Sequence, residues 1–290
     1  MTVLELLNGL TDHLENHRIE SPRLNAELLL ARSLNVKREG LYIHLNDQIK
    51  EREQEEFERF IGRRIAGEPL QYILGHQEFW SIDLKVNSSV LIPRPETEFL
   101  VEQALLILSE KPIERTLSVL EIGTGSGAVA ISLAKEIKNI FLVATDISRD
   151  AIMVAKENAK TSGVMGSIEF VNGCLFAPFY LFREEKRFDL ILSNPPYVDH
   201  SEIQRLPREV RDYEPIIALD GGRDGLEIYR NITSQAPFYM KKGGWLLLEV
   251  GQEQAEKVTE QIERSGLFLK PNRIPDLSGI ERVVKAQRRE

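Results

Sequence analysis

The chain has 290 residues, enough for two domains or one large one, and its 42% apolar and 28% charged content is that of an ordinary globular protein. A formal charge of −8 argues against a protein whose main business is gripping nucleic-acid backbone. A single cysteine, Cys174, rules out internal disulfides and fits a reducing compartment, and no apolar run approaches the ~18 residues of a membrane span. The start, Met1-Thr-Val-Leu-Glu-Leu-Leu, has an early acid and no basic stretch. No signal peptide is therefore expected, and a cytoplasmic location is.

The first segment reads as helical. Ser21-Pro22 resembles an N-cap followed by proline at the first helical position, and Leu24, Leu28 and Leu29 continue an apolar face. From about Asp47 to Ala66 the chain is strongly charged, with Phe57, Phe60 and Ile61 as an apolar stripe before Gly67 and Pro69 stop it. A small bundle is predicted over residues 1–74. Gln71–Gly75, then Phe79, Trp80, Ile82, Leu84 and Val86, have β character and read as a hairpin, with hairpin and linker covering residues 75–95.

From Glu96 to the end, residues 96–290, apolar strands alternate with helical patterns. Val119–Ile122, Ile140–Ala144, Ser167–Val171, Leu190–Ser193 and Trp245–Val250 are the strands, and a helix is expected from about Arg149 to Ser162. Leu267–Leu269 and Ile280–Ala286 read as a closing antiparallel pair. Alternating units predict an α/β fold with a mostly parallel sheet and helices on both faces. Ligands then belong beyond the carboxyl ends of the strands.

Two candidate sites fall at such ends. Glu121-Ile-Gly123-Thr124-Gly125-Ser126-Gly127 lies at a strand-to-helix junction, where glycines permit a tight turn and bring backbone N–H groups close to a ligand. Its G-x-G-x-G spacing differs from that of dinucleotide dehydrogenases. Asp146 ends the next strand, and a carboxylate there can accept from both hydroxyls of a ribose, or cap the following helix, as Ser148 also can. Asn194-Pro195-Pro196-Tyr197 follows the strand-like run Phe188–Ser193. The Asn194 oxygen and the Pro195 carbonyl can accept the two N–H bonds of a planar NH2 group, Pro196 stiffens the turn, and the Tyr197 ring can stack on the plane. The plain alternative is a Pro-Pro turn that only ends a strand. The motif fits the N6 amine of adenine and a glutamine or asparagine amide equally well. The acidic balance of the chain favours a protein substrate. Five histidines form no ligand-spaced cluster, so no metal site is expected.

With Asn194–Tyr197 joined to the glycine turn and Asp146, residues 96–290 resemble the class I S-adenosylmethionine-dependent methyltransferases. Adding Leu91-Ile-Pro-Arg-Pro-Glu-Thr-Glu98, Gln71–Gly75, Leu219–Leu226, Asp276–Arg282 and the helical N-terminal segment, nearly the whole chain resembles the HemK/PrmC family. That resemblance implies a Rossmann-like, seven-stranded methyltransferase domain with S-adenosyl-L-methionine as cofactor. It further implies transfer of methyl to the glutamine amide of the Gly-Gly-Gln motif in class-1 peptide chain release factors, docked by the N-terminal bundle. A monomer is expected, without membrane or direct nucleic-acid partner. By resemblance, Gly123, Thr124, Gly125, Ser126 and Gly127 hold the methionine part of the cofactor and Asp146 the ribose, with Asn194 also at the cofactor; Leu175 or Phe176 can pack on the adenine face. Asn194, Pro195, Pro196 and Tyr197 bind and activate the acceptor. Glu121 either binds the cofactor amino group through water or bonds loop N–H groups. Cys174 stands where many relatives carry an adenine-contacting acid, and it reads as a small buried hydrophobe. Arg94 and Glu96 are candidates for touching cofactor or substrate, and Gly221, Gly222 and Gly225 read as turn formers. The competing readings are an N6-adenine methyltransferase and a non-catalytic cofactor-binding protein.

Overall fold

A computed structural model describes residues 1–111, 115–182 and 188–290. Two compact units are present: Met1–His76 with Pro207–Tyr213, and Gln77–Leu206 with Glu214–Glu290.

The first unit contains α1 (Val3–Asn16), α2 (Pro22–Ser33), α3 (Arg38–Leu41), α4 (Glu51–Ile65) and α5 (Leu70–Leu74). Thr2 and Glu5 form a reciprocal capping box on α1. Ser21 caps α2 without a side-chain bond, its backbone being left-handed, while Pro22 takes the first helical position as expected. Leu7, Leu14, Leu29, Leu30, Leu41 and Phe57 are fully buried between the helices. The predicted β character of Gln71–Gly75 is not found. These residues form α5, entered from Pro69 and closed by Gly75 in the left-handed region. Burial of Leu70, Ile73 and Leu74 in the helical core overrides local strand propensity.

A later helix, α9 (Arg208–Tyr213), belongs to this same unit. The buried Arg64 guanidinium donates to Asn25 Oδ1 (2.8 Å) and the Glu68 carbonyl (2.9 Å), and pairs with Glu209 on α9 at 2.9 Å. Tyr213 adds a hydrogen bond from its hydroxyl to the Ala66 carbonyl.

In the second unit, β1 (His76–Phe79) and β2 (Ile82–Lys85) form a hairpin whose turn residues Trp80 and Ser81 both have positive φ, the geometry of a tight two-residue hairpin turn. The main sheet contains β3 (Leu117–Ile122), β4 (Ile140–Asp146), β5 (Ile168–Asn172), β6 (Phe188–Ser193), β7 (Met240–Glu249), β8 (Asn272–Pro275) and β9 (Glu281–Gln287). Its order is β5-β4-β3-β6-β7-β9-β8; the first five strands are parallel, and β9 runs antiparallel to both β7 and β8. The closing pair is thus β8 with β9. The Leu267–Leu269 segment contributes only a bridge from Phe268 to Arg288.

Alternate residues of each strand enter opposite layers. Val119, Leu142, Leu190 and Leu192 pack under α6 (Glu98–Ser109), α7 (Ala128–Glu136) and α8 (Arg149–Thr161). Leu120, Val143, Ile191, Leu246 and Leu248 pack under α10 (Glu227–Gln235) and α11 (Ala255–Arg264). The expected α/β layering is therefore present. No helix among the described residues is long and apolar enough to cross a membrane.

Because Arg64 is buried and its three partners lie on different segments, Arg64→Ala leaves Asn25 and Glu68 with unpaired polar groups. Urea denaturation of the full chain, followed by helical circular dichroism, is expected to show a loss of about 3 kcal/mol.

Candidate active site

Parallel pairing of β3 with both β4 and β6 brings the carboxyl ends Ile122, Asp146 and Ser193 side by side. Ser193 pins this edge by donating its hydroxyl to the Ile122 carbonyl at 2.7 Å. Beyond the edge lies a cavity of about 560 Å³, within the size range of small-molecule sites. Its wall includes Gly123–Ser126, Asp146, Leu175 and Asn194–Pro196. Residues far apart in sequence are thus brought to one wall.

The glycine turn is held mainly by the protein itself. The amides of Gly123 and Thr124 both donate to the Thr145 carbonyl at 2.8 Å, and that of Gly125 to Asp146 Oδ2 at 2.9 Å. These N–H groups are therefore not aimed at a ligand, contrary to the sequence expectation, and the turn contributes shape. Gly127 is closely packed: a Cβ there would lie 3.0 Å from Ile131 on α7 and 3.2 Å from Ala155 on α8. Asn158 on α8, buried, ties this turn to the hairpin by donating to the Ser126 carbonyl (2.9 Å) and the Lys85 carbonyl (3.0 Å), while accepting from the Lys85 amide. Sequence reading missed Asn158, since a polar residue within an amphipathic helix reads as surface.

Two carboxyls stand behind the turn. Glu121 is buried and accepts from the Thr124 hydroxyl at 2.7 Å and from the amide of Ala130 in the first turns of α7. Burial pushes its pKa up to about 8, against those two hydrogen bonds, and the neighbouring Asp146 charge adds to the rise. Asp146 is also raised by burial, while the Ser148 and Gly125 amides work against it. Ser148, as the alternative reading anticipated, is the helix cap of α8 through its hydroxyl. Asp146 lines the cavity, and a carboxylate has about four lone-pair sites, more than its three amide partners fill.

Asn194, half-buried, donates from Nδ2 to the Thr97 hydroxyl oxygen at 3.1 Å. Thr97 is buried at the end of the short 3-10 turn Pro95–Thr97, so it, rather than Glu96, connects the proline-rich segment to Asn194; Glu96 is exposed and not on the cavity wall. Arg94 is on the wall and pairs with the buried Glu214 at 2.5 Å, and Glu214 also accepts from the Ile92 amide. This tie joins two stretches of the wall, Ser89–Arg94 and Pro215–Ala218.

Tyr197 is not on that wall. Its half-buried ring packs against the second core layer and lies where a Cβ on Gly251 would come within 2.9 Å, and its carbonyl accepts from Gln254 at 2.9 Å. The backbone after it runs beside Leu219–Gly222, where the Val198 amide donates to the Leu219 carbonyl and the Gly221 amide donates to the Val198 carbonyl. Gly221 is therefore more than a turn former: a Cβ there would lie 2.8 Å from the Cα atoms of both Tyr197 and Gly225.

Leu175 lies on the wall with φ of 48°, a conformation that costs a bulky side chain about 1–2 kcal/mol. Strain of this kind concentrates where surroundings hold a residue for a purpose. Cys174 also lines the cavity and is exposed, so the sequence reading of a buried hydrophobe is corrected. The turn after β5 sends Phe176 and Phe179 into the core instead, leaving Cys174 facing the cavity.

The fold recurs among solved structures. A methyltransferase from Pyrococcus furiosus matches with a TM-score of 0.52 at 17% identity, over 79% of this chain and 98% of that one. The human Mettl16 catalytic domain, crystallised with an RNA hairpin, gives 0.57 at 15% identity, over 78% of this chain and 80% of that one. At such identities the likeness is one of fold. The fold is Rossmann-like, and residues 98–209 match the methyltransferase small domain, which gives the class of protein. Residues 5–75 match the PrmC N-terminal domain. Proteins named release factor glutamine methyltransferase from Geobacter sulfurreducens (41% identity over 98% of this chain and 95% of that one) and Koribacter versatilis (41%, 98% of each) align along nearly the full length. One from Bacillus anthracis does so at 36% over 99% of each chain. The chain belongs to the release factor glutamine methyltransferase family.

A folded pKa near 8 against an ordinary 4.5 makes the Glu121 contribution to stability complete below the ordinary value and lost as pH rises through about 8. Urea denaturation of the ligand-free protein is expected to show stability falling across that window, and Glu121→Gln is expected to flatten the fall.

Proposed function

We propose that this enzyme moves the methyl group of S-adenosyl-L-methionine to the side-chain amide nitrogen of the glutamine in the Gly-Gly-Gln motif of class-1 peptide chain release factors. The observation that carries the reading is the Asn194 amide. Its Nδ2 is committed to Thr97, which leaves Oδ1 as an acceptor at a cavity that also holds the glycine turn and Asp146. An amide nitrogen is a poor nucleophile because its lone pair is delocalised. Two acceptors, Asn194 Oδ1 and the Pro195 carbonyl, fix its N–H bonds and hold the lone pair toward the electrophile.

The cavity chemistry fits the cofactor. Asp146 supplies lone pairs for ribose hydroxyls, Leu175 and the exposed Ile147 supply apolar surface for a flat base, and Gly123–Ser126 leave room at the strand edge. When bound, S-adenosylmethionine supplies an electrophilic methyl on a sulfonium. The chain's own residues then orient and shield. Pro196 fixes the turn, and the proline-stiffened Leu91–Glu98 segment, tied by Arg94 to Glu214, keeps water from the reacting groups. Tyr197 takes the role of stacking on the amide plane from the core side of the turn. Residues 1–74 take that of gripping the protein substrate, 75–95 that of a linker, and 96–290 that of catalysis. The names of the full-length relatives support the release factor as acceptor. A monomeric, cytoplasmic enzyme follows from the same reading.

Peptide mass spectrometry of a release factor incubated with the enzyme and S-adenosylmethionine tests this. One added methyl on the Gly-Gly-Gln glutamine is the expected result; no addition, with cofactor binding verified, overturns it. Asn194→Ala is expected to lower the transfer rate by about 10²–10³-fold while the cofactor Kd, measured by calorimetry, moves by no more than about twofold.

A further inference from the structure

Glu249 is the last residue of β7, the strand beside β6. The parallel register pairs Ser193 with Leu248, so the next position on each strand sets Asn194 alongside Glu249. Glu249 is 4% exposed, does not line the cavity, and its Oε2 has no hydrogen-bond partner. Carboxyls are rarely buried in this way unless paired, and an unsatisfied buried oxygen is costly. The Thr97 and Asn194 side chains both hydrogen-bond its carboxyl. Thr97 Oγ1 already accepts from Asn194 Nδ2, so its own hydroxyl proton is free to point onward.

A hydroxyl between an amide and a carboxyl can run in only one of two senses. If the carboxyl is ionised it has no proton to give, so the hydroxyl donates to it and accepts from the Asn194 NH2. Asn194 then presents its oxygen to the cavity. If the carboxyl is protonated, its O–H can donate to Thr97, the hydroxyl can donate to the Asn194 oxygen, and the amide turns to present NH2 instead. A donor there faces the donors of an incoming amide NH2 group and repels it.

We propose that Glu249 is a positioning residue which, as a carboxylate acting through the Thr97 hydroxyl, sets the Asn194 side chain with its oxygen toward the acceptor. The inference rests on the function proposed above and assigns a role to a buried acid outside the cavity. Burial raises the Glu249 carboxyl to about 7, offset by Thr97 and Asn194, so both senses of the chain lie within an accessible pH range. The charged and titratable groups around it are Glu96, which raises it further, Arg282 on β9, which lowers it, and the Tyr197 hydroxyl. The Tyr229 hydroxyl donates to its backbone carbonyl, not its side chain.

The test uses the full chain and two readouts. Single-turnover methyl transfer to a release factor is expected to rise with pH through a midpoint near 7 in the wild type. Glu249→Gln is expected to lose that limb and to run about tenfold slower on the alkaline side, with cofactor Kd unchanged. In the free protein, the Asn194 side-chain amide resonances are expected to titrate with the same midpoint and to stop doing so in Glu249→Gln. Thr97→Val, which breaks the chain without removing the acid, is expected to reproduce the slow rate, and Thr97→Ser to restore it. A folded Glu249→Gln with the wild-type profile overturns the proposal. So does a wild-type rate in Thr97→Val, which decides the matter should Glu249→Gln not fold. If the wild type methylates no release factor, the proposed function fails, and the amide titration still decides the role of Glu249.

Discussion

The parallel pairing of β3 with both β4 and β6 is the constraint on which the site depends. Parallel strands put all their carboxyl ends on one edge, and the turns leaving that edge must satisfy backbone amides without crossing a helix layer. Here the solution is mutual. The Thr145 carbonyl at the end of β4 takes two amides from the glycine turn after β3, and Asp146 takes a third. The Asn172 side chain at the end of β5 donates back to the carbonyls of Asp146 and Ile147. The edge is a mesh of bonds between neighbouring strand ends, and the cavity is what that mesh leaves open.

Buried acids follow the same geometry. Glu121, Asp146 and Glu249 sit at the carboxyl ends of β3, β4 and β7, and burial raises all three. Asp189, at the amino end of β6, is as deeply placed but surrounded by partners: burial works to raise it, yet Lys241, the Ser118 amide and Arg115 together hold it below the ordinary carboxylate value. One end of the sheet neutralises its acid with cations. The other leaves its acids raised by burial, Glu121 to about 8 and Glu249 to about 7.

Much of this could be read from the residues. Runs such as Val119–Ile122 and Leu190–Ser193 are apolar on both faces, which only a doubly covered strand tolerates, so the sheet was evident and its strand ends located the glycine turn, Asp146 and Asn194. What could not be read depends on contacts across long sequence distance. Leu70–Leu74 looks like strand until its burial among helices is known. Thr97 sits inside the proline-rich Leu91–Glu98 segment, yet only the fold shows that it, not Arg94 or Glu96, meets Asn194. Glu249 carried a signal, an acid closing the apolar run Trp245–Leu248, whose meaning needs the neighbouring strand. Cys174 was placed on the wrong side of a turn, since residue type does not say which way a loop side chain faces.

The membership of Pro207–Tyr213 in the helical unit has a consequence for how the protein is made. A ribosome delivers α1 to α5 long before it delivers α9, with the whole of β1 to β6 synthesised between them. Until Glu209 emerges, the Arg64 guanidinium has Asn25 and the Glu68 carbonyl but lacks its carboxylate, and the Ala66 carbonyl waits for Tyr213. The helices made first therefore reach their finished state only after most of the sheet has left the exit tunnel. Their completion falls after β1 to β6 are made and before β7 to β9 are.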